Sequence, residues 1–203
     1  MMNESLSPDS SHFWDARYRA DQARWDLGTP TPVFVDLLEQ KRFDPGTTLV
    51  LGCGKGYDAV LFALHGFQVT AIDFSHEAIA HARRLAHENH VDIEFIQEDM
   101  FDYSLGSVDE FDYVVEYVTF CAIDPSRRAE FAAMVPSLMK DSGKFIALFF
   151  PLDDRPGGPP FAVSMDEVHR LFGKKLELES IEAPPRSVSP RKGKELLTVW
   201  RKK

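Results

Sequence analysis

The chain has 203 residues, of which 44% are apolar, and this fits a globular domain with its own core rather than a small scaffold held by disulfides. Lysine and arginine total 23 against 32 aspartate and glutamate, so the formal net charge is −9. Proteins that bind the phosphate backbone of nucleic acids normally carry a net positive charge. The apolar runs of this chain are far shorter than the roughly 20 residues of a membrane-spanning helix. We therefore expect no nucleic-acid partner and no membrane partner.

The first residues and the cysteines bear on where the protein works. Residues 1–11 are polar and lack the basic start and apolar stretch of a secretory signal. The two cysteines, Cys53 and Cys121, are too few for a disulfide framework and fit a reducing compartment. These features predict a cytoplasmic protein.

The segment ahead of the first strand is expected to be ordered. Its otherwise polar sequence contains four bulky aromatic residues, which is unlike a disordered tail. They are Phe13, Trp14, Tyr18 and Trp25. Residues 32–43 show helical periodicity and end at an Asp-Pro-Gly turn, which predicts an extra helix beside the main fold.

Strand and helix signals then alternate along the chain. Apolar runs rich in β-branched and aromatic residues predict buried strands at residues 47–51, 68–72, 93–96, 113–117 and 144–150. Segments of helical periodicity lie between them at residues 58–65, 76–89 and 126–140. The alternation predicts a doubly wound α/β fold, with a mostly parallel sheet and helices on both faces.

The last quarter of the chain completes this fold. Prolines and glycines in residues 151–160 predict an irregular loop, and Ser164 with Glu167 fits a capping box that opens a short helix. Residues 176–182 and 196–200 predict two closing strands, the last of them antiparallel.

The first strand ends in a glycine-rich loop with Gly52, Gly54 and Gly56. Glycines at this place let a ligand approach the backbone closely. In dinucleotide-binding folds the third glycine stands three residues after the second, where this chain has Tyr57 instead. The loop therefore disfavours a nicotinamide or flavin site. Its spacing resembles the first motif of Rossmann-like S-adenosylmethionine (SAM) methyltransferases.

Two acidic residues follow the next two strands. Asp73 stands 21 positions after Gly52, a distance at which an acid suits ribose hydroxyls, and Phe74 beside it is placed to pack on adenine. Asp99 and Met100 close the third strand. Each feature alone is better explained as a turn or a helix cap, but their joint order favours a nucleoside ligand.

Four further motifs lie along the chain. They are residues 111–123, Trp25-Asp26-Leu27-Gly28 with Thr31-Pro32, Gly157-Gly158-Pro159-Pro160 and Arg191-Lys192-Gly193-Lys194-Glu195. Together they resemble the thiopurine methyltransferase family, and most closely its plant-type thiol and halide methyltransferases. The likeness covers nearly the whole chain. Glu116 departs from it, because the family usually has Asp there, and so does Leu51, which replaces a frequent Pro.

The resemblance implies a single SAM-dependent methyltransferase domain over residues 1–203. Residues 1–43 would form an N-terminal lid and extra helix, and residues 44–203 a Rossmann-like core with a seven-stranded sheet. It further implies a monomeric enzyme that transfers a methyl group from SAM to a small-molecule substrate: a thiol, hydrosulfide or halide. S-adenosylhomocysteine is then the product, and no metal is needed. Two alternatives stay open. One is another small acceptor, such as a thiopurine-like heterocycle, a metalloid or a carboxylate; the other is a SAM-binding module without turnover.

Site residues follow from the resemblance position by position. The expected cofactor-binding residues are Trp14, Trp25, Gly52, Cys53, Gly54, Asp73, Phe74, Asp99, Met100, Glu116 and Tyr117. The expected catalytic residues are Tyr117, Trp14 and Tyr18. Arg186 and Arg191 either attract an anionic acceptor or belong to an ordinary surface run. Cys121 is interpreted as a small buried residue rather than a nucleophile.

Overall fold

A computed structural model describes residues 7–104, 106 and 109–203. Seven strands form one sheet in the order β3-β2-β1-β4-β5-β7-β6. They are β1 Thr47–Leu51, β2 Gln68–Asp73, β3 Ile93–Gln97, β4 Phe111–Tyr117, β5 Met139–Phe149, β6 Leu176–Glu182 and β7 Leu196–Lys202. The first five strands run parallel, and β7 is antiparallel to both of its neighbours. This confirms the predicted fold class.

Within the described residues, seven α-helices accompany the sheet. They are α1 Ser11–Arg19, α2 Pro32–Glu39, α3 Tyr57–Leu64, α4 His76–Glu88, α5 Met100–Tyr103, α6 Arg128–Leu138 and α7 Met165–Phe172. Alternate residues of β1 belong to different apolar clusters, because successive side chains of a strand point to opposite faces. Leu49 packs with Phe131 and Phe172 in one cluster, and Val50 packs with Phe34 and Phe62 in the other.

The strand order places a reversal between β1 and β4. The chain moves from β1 outward through β2 to β3, then returns to the other side of β1. In open α/β sheets, the loops at the carboxyl ends of strands separate at such a reversal and leave a crevice for ligands. The glycine loop after β1 and Asp73 at the end of β2 therefore lie at this crevice.

Several boundaries differ from those that the sequence predicts. Helix α2 ends at Glu39 rather than at residue 43, since Lys41 takes a left-handed conformation with φ of 52° that no helix can continue through. Helix α6 ends at Leu138, and the strand β5 begins at once with Met139. The helices α1 and α5 were not predicted as helices.

The predicted capping box at α7 is wrong. Ser164 is the residue before the helix, but its side chain accepts no capping hydrogen bond. Glu167 instead accepts a hydrogen bond of 2.7 Å from Nη1 of Arg128, whose side chain is buried. A charge-assisted bond to a buried guanidinium is stronger than a capping bond to a backbone amide, and it ties α7 to α6.

In the part of the chain that the structure describes, no helix combines the length and apolar character needed to cross a membrane.

Gly56 offers a test of how closely α3 approaches α4. It has a φ of 85°, and an added Cβ would lie 2.7 Å from Cβ of Ala82. We expect Gly56→Ala to lower the free energy of unfolding through left-handed strain of about 1–2 kcal/mol and a further ~1–3 kcal/mol of overpacking. Unfolding of wild type and Gly56→Ala in guanidinium chloride would measure the sum of these two losses.

Gly157→Ala is the matched control. Gly157 also has a positive φ, of 68°, but nothing lies within 4 Å of its added Cβ. It should show only the strain, so an equal loss in the two variants would contradict the close approach of the helices.

Candidate active site

The glycine loop after β1 is held against the turn that follows β4. Gly52 has a φ of 57°, and a Cβ there would lie 2.4 Å from Oγ1 of Thr119. The Thr119 hydroxyl donates a hydrogen bond of 3.0 Å to the carbonyl of Leu51. No side chain fits at position 52, so this part of the loop presents backbone to the crevice.

Asp73 joins the glycine loop to the end of β2. One carboxylate oxygen accepts from the Gly54 amide at 2.9 Å, and the other accepts from the Ser75 amide at 2.9 Å. Burial raises the pKa of Asp73 to about 6, although both amides favour the ionised form. Each oxygen of a carboxylate can accept two hydrogen bonds, so the group retains capacity for ligand hydroxyls.

Helix α1 is hydrogen-bonded to the start of α4, directly after the end of β2. An Asp15 oxygen accepts from the Ser75 hydroxyl at 2.6 Å and from the Glu77 amide at 3.2 Å, at the start of α4. Ser75 is buried and caps α4 by accepting from the amide of Ala78. The sequence offered no signal for Asp15, because its partners lie some 60 residues away in the chain.

The lid aromatics form a T-shaped cluster. Trp14 and Trp25 have ring centroids 5.0 Å apart, and Tyr18 lies 5.4 Å from Trp25. The indole N–H of Trp25 donates to the Tyr18 hydroxyl, and that of Trp14 donates to the carbonyl of Pro8. Both indole donors thus have partners within the lid, and burial raises the pKa of the Tyr18 phenol.

A cavity of about 870 Å³ lies between the lid and the strand ends. This volume is near the upper end of the ~300–1,000 Å³ that small-molecule sites occupy. The fold brings ten of the predicted site residues to its wall. They are Trp14, Tyr18, Trp25, Gly52, Gly54, Asp73, Phe74, Asp99, Met100 and Arg191.

Four predicted site residues lie elsewhere. Cys53 and Tyr117 line a smaller neighbouring cavity of about 80 Å³. Arg186 lines neither cavity, because its exposed guanidinium pairs with Asp36 on α2 at 2.6 Å. Glu116 lines neither cavity and is buried, with 1% of its surface exposed.

Glu116 organises the turn after β4. One carboxylate oxygen accepts from the amides of Thr119 and Phe120, each at 3.1 Å. Burial raises the pKa of Glu116 to about 7, and the two amides offset this in part. The Glu116 side chain therefore does not lie at the cavity wall. It holds the turn that contains Thr119, and Thr119 contacts the glycine loop.

Tyr117 belongs to a buried polar network. Its hydroxyl donates to Oε2 of Glu195 at 2.9 Å and accepts from Nη1 of Arg191 at 2.5 Å. Nη2 of Arg191 donates to the carbonyl of Trp25 at 2.6 Å, which links the network to the lid. Arg191 is buried against the ring of Phe150, at 5.3 Å from the ring centroid, and is not part of a surface run.

Sequence reasoning missed the residues that complete the cavity wall beyond β4 and β5. They include Val118, Thr119, Cys121, Phe150, Arg155 and Pro159. Arg155 is held by Asp153 in a two-point ion pair with both distances at 2.7 Å. Burial raises the pKa of Cys121, whose thiol donates to the carbonyl of Val118, so this cysteine is not an activated nucleophile.

Comparison with known proteins identifies the family. A family model described as thiopurine S-methyltransferase matches residues 9–203. The chain belongs to the thiopurine S-methyltransferase family. It is 36% identical over 205 residues to probable thiol methyltransferase 2 of Arabidopsis thaliana, covering 100% of this chain and 90% of that one. It is 34% identical over 194 residues to thiocyanate methyltransferase 1 of the same plant, covering 93% and 84%.

Solved structures share the fold of this family member. A Burkholderia thailandensis 1,6-didemethyltoxoflavin-N1-methyltransferase, bound to 1,6-didemethyltoxoflavin and S-adenosylhomocysteine, superposes with a TM-score of 0.76. The two are 19% identical, over 95% of this chain and 86% of that chain. The chain is thus a SAM-dependent methyltransferase, which confirms the predicted family, class of enzyme and cofactor.

The position of Asp73 predicts how cofactor binding responds to substitution and pH. We expect Asp73 to accept a charge-assisted hydrogen bond from the ligand, so Asp73→Asn should weaken the binding of S-adenosylhomocysteine by about 1.5–3 kcal/mol, roughly 10-fold to 150-fold. Wild-type affinity should fall as the pH drops through about 6, where the buried carboxyl takes up a proton.

Titration calorimetry between pH 5 and pH 8 would measure both effects, with Asp92→Asn on an exposed loop as the control. Affinity that does not change in Asp73→Asn would show that Asp73 is only a structural link.

The turn after β4 gives a stability prediction. A pKa of about 7 in the folded protein lies above the ~4.3 of an unfolded glutamate, so the folded state holds this proton more tightly. The Glu116 contribution to stability is therefore largest below the unfolded pKa, and it falls as the pH rises to about 7.

Glu116→Gln keeps an oxygen that accepts from both amides and removes this titration. We expect the free energy of unfolding of the variant, compared with wild type, to improve progressively between pH 4.5 and pH 7.5 in urea denaturation. A difference that does not vary with pH would contradict a buried titrating carboxyl at position 116.

Proposed function

We propose that this enzyme methylates a small soft nucleophile, with thiols and hydrosulfide as preferred acceptors and halides next. The observation that carries the proposal is the charge distribution of the large cavity. Three of its acids, Asp73, Glu98 and Asp99, lie at the ends of β2 and β3, where Arg127 comes within 3.9 Å of Asp99, whereas Arg155 and Arg191 lie on the loops after β5 and before β7. Asp9, Arg17 and Arg24 line the cavity from the N-terminal segment. Because β2 and β3 stand on one side of β1 and β5 and β7 on the other, we call the first set of strand ends the acidic half of the cavity and the loops with Arg155 and Arg191 the basic half.

The acidic half is suited to the methyl donor. Gly52 and Gly54 place backbone without a side chain at the cavity wall, where the amino-acid end of SAM can approach it closely, and the Asp73 carboxylate has acceptor capacity for the ribose. Asp99 and Met100 at the end of β3 offer a polar and an apolar contact for adenine. When bound, SAM supplies a methyl group activated by a positively charged sulfur.

The basic half is suited to an anionic, polarisable acceptor. Arg191 and Arg155 flank the ring of Phe150, at 5.3 and 5.5 Å from its centroid. A guanidinium is weakly hydrated, so it attracts an anion without holding much water beside it. Val118 and Cys121 add apolar wall, and exclusion of water removes the hydration that weakens a soft nucleophile.

Positioning is then the main contribution of the protein. Holding two reactants in alignment contributes up to about 7–11 kcal/mol, and an anionic sulfur or halide needs little further activation. The names of two relatives, a probable thiol methyltransferase and a thiocyanate methyltransferase, support the same class of acceptor. We further propose that the reaction takes place in the cytoplasm, which the content of only two cysteines supports, and that the enzyme acts as a monomer.

A panel of acceptors tests the proposal. Purified enzyme with isotope-labelled SAM is incubated with 2-mercaptoethanol, hydrosulfide, thiocyanate, iodide, a heterocyclic thiol and a carboxylate, and methylated products are measured by mass spectrometry. We expect the highest kcat/KM with the sulfur nucleophiles and a lower value with iodide.

Two results would contradict this assignment in different ways. Efficient turnover of the carboxylate alone would assign another acceptor class to the same fold. Calorimetric binding of SAM with no methylated product from any acceptor would identify a binding module without turnover.

A further inference from the structure

Glu195 is a buried carboxylate that the proposed function does not use. It lies directly before β7, and only 3% of its surface is exposed. Its Oε2 accepts from the Tyr117 hydroxyl, while Oε1 has no hydrogen-bond partner among the described residues. A carboxylate oxygen left alone in the interior costs folding free energy, so its presence beside the site calls for an explanation.

Tyr117 connects Glu195 to the wall of the active site. Its ring lines the small cavity, and Val118, the next residue, lines both cavities. The Tyr117 hydroxyl also accepts from Arg191, which lines the large cavity. The phenol oxygen is therefore one hydrogen bond from Glu195 and one from Arg191, at the boundary between the two cavities. Because Arg191 only donates, a substrate proton enters this network at the phenol oxygen itself.

The chemistry of thiols creates a need for such a network. A free thiol has a pKa near 8.5, so at neutral pH it reaches the site mostly protonated. Its S–H proton must leave when the sulfur is methylated, since the product thioether is neutral. Thiocyanate and iodide arrive as anions and release no proton.

We propose that Glu195, acting through Tyr117, accepts the proton of a thiol substrate, a role that rests on the proposed function. The S–H bond breaks and its proton passes to the phenol oxygen, while the phenol proton passes to Oε2 of Glu195. The sulfur keeps the electron pair with which it attacks the methyl group. Glu195 ends as a neutral carboxylic acid, and Tyr117 ends as it began.

The surroundings of the phenol favour a concerted transfer. Burial raises the pKa of Tyr117, so the phenol does not lose its proton unless it gains another. The Arg191 guanidinium stabilises negative charge on the phenol oxygen as the protons move. The other nearby charges have their own partners, because Lys194 pairs with Asp153 and Asp58 accepts two hydrogen bonds from Thr31.

Glu195→Gln separates proton transfer from structure. Glutamine keeps an oxygen that accepts from the Tyr117 hydroxyl, but it takes up no proton at neutral pH. We expect kcat/KM for 2-mercaptoethanol to fall about 10²-fold or more, the range of a lost general base, while kcat/KM for thiocyanate does not change. The loss with 2-mercaptoethanol should shrink as the pH approaches the pKa of the free thiol, because solution then supplies thiolate.

Three further measurements distinguish this role from a structural one. Tyr117→Phe should show the same difference between thiol and thiocyanate. During a single turnover of enzyme-bound SAM with 2-mercaptoethanol, the infrared band of a protonated carboxyl should appear, and Glu195→Gln should lack it. Glu88→Gln, on an exposed position of α4, should behave as wild type in every assay.

Defined outcomes would overturn the proposal. Equal losses with 2-mercaptoethanol and thiocyanate, with S-adenosylhomocysteine binding and thermal stability intact, would assign Glu195 a structural role. Unchanged thiol turnover in Glu195→Gln would remove it from the reaction. A wild-type enzyme that methylates thiocyanate but no thiol would have no proton to transfer, whereas no turnover with any acceptor would refute the proposed function and this role together.

Discussion

The site depends on the convergence of two backbone amides on Asp73. The Gly54 amide comes from the loop after β1 and the Ser75 amide from the start of α4, and one carboxylate accepts both. This contact fixes the spacing of two adjacent strand ends. The Ser75 hydroxyl donates in turn to Asp15 in α1, so the N-terminal lid is held by the same hydrogen-bonded residues that join β2 to the glycine loop. Burial raises the Asp73 pKa to about 6, which makes this arrangement sensitive to mild acid.

Buried polar groups on the other side of β1 make a second set of hydrogen bonds that hold the site. Glu116 holds the turn that presents Thr119 to the glycine loop, and Arg191 joins the lid carbonyl of Trp25 to the Tyr117 hydroxyl. Removing one partner of such a group leaves the other buried and unpaired, at a cost of about 1–3 kcal/mol or more for a charge. Both halves of the cavity are therefore connected to the lid by bonds that also stabilise the fold.

Much of the fold and part of the site could be predicted from local sequence. Apolar runs gave the strands to within a few residues, except that β5 begins five residues earlier, and the glycine spacing with Asp73 located one wall of the large cavity. The wrong capping box at Ser164 and the surface position of Arg186 have a common cause. Their chosen partners, Arg128 for Glu167 and Asp36 for Arg186, are far away in the chain, and a charged side chain takes the strongest partner that the fold offers.

The sequence by itself determined the α/β class, the glycine loop and the family, because these depend on periodicity and on motifs contiguous in the chain. Only the tertiary structure decided which polar groups face the cavity. Glu116 and Tyr117 are neighbours in β4, yet one supports a turn and the other bonds to Glu195, some 78 residues away. Adjacent strand residues point to opposite faces, and what each face meets is set by helices and loops from distant parts of the chain.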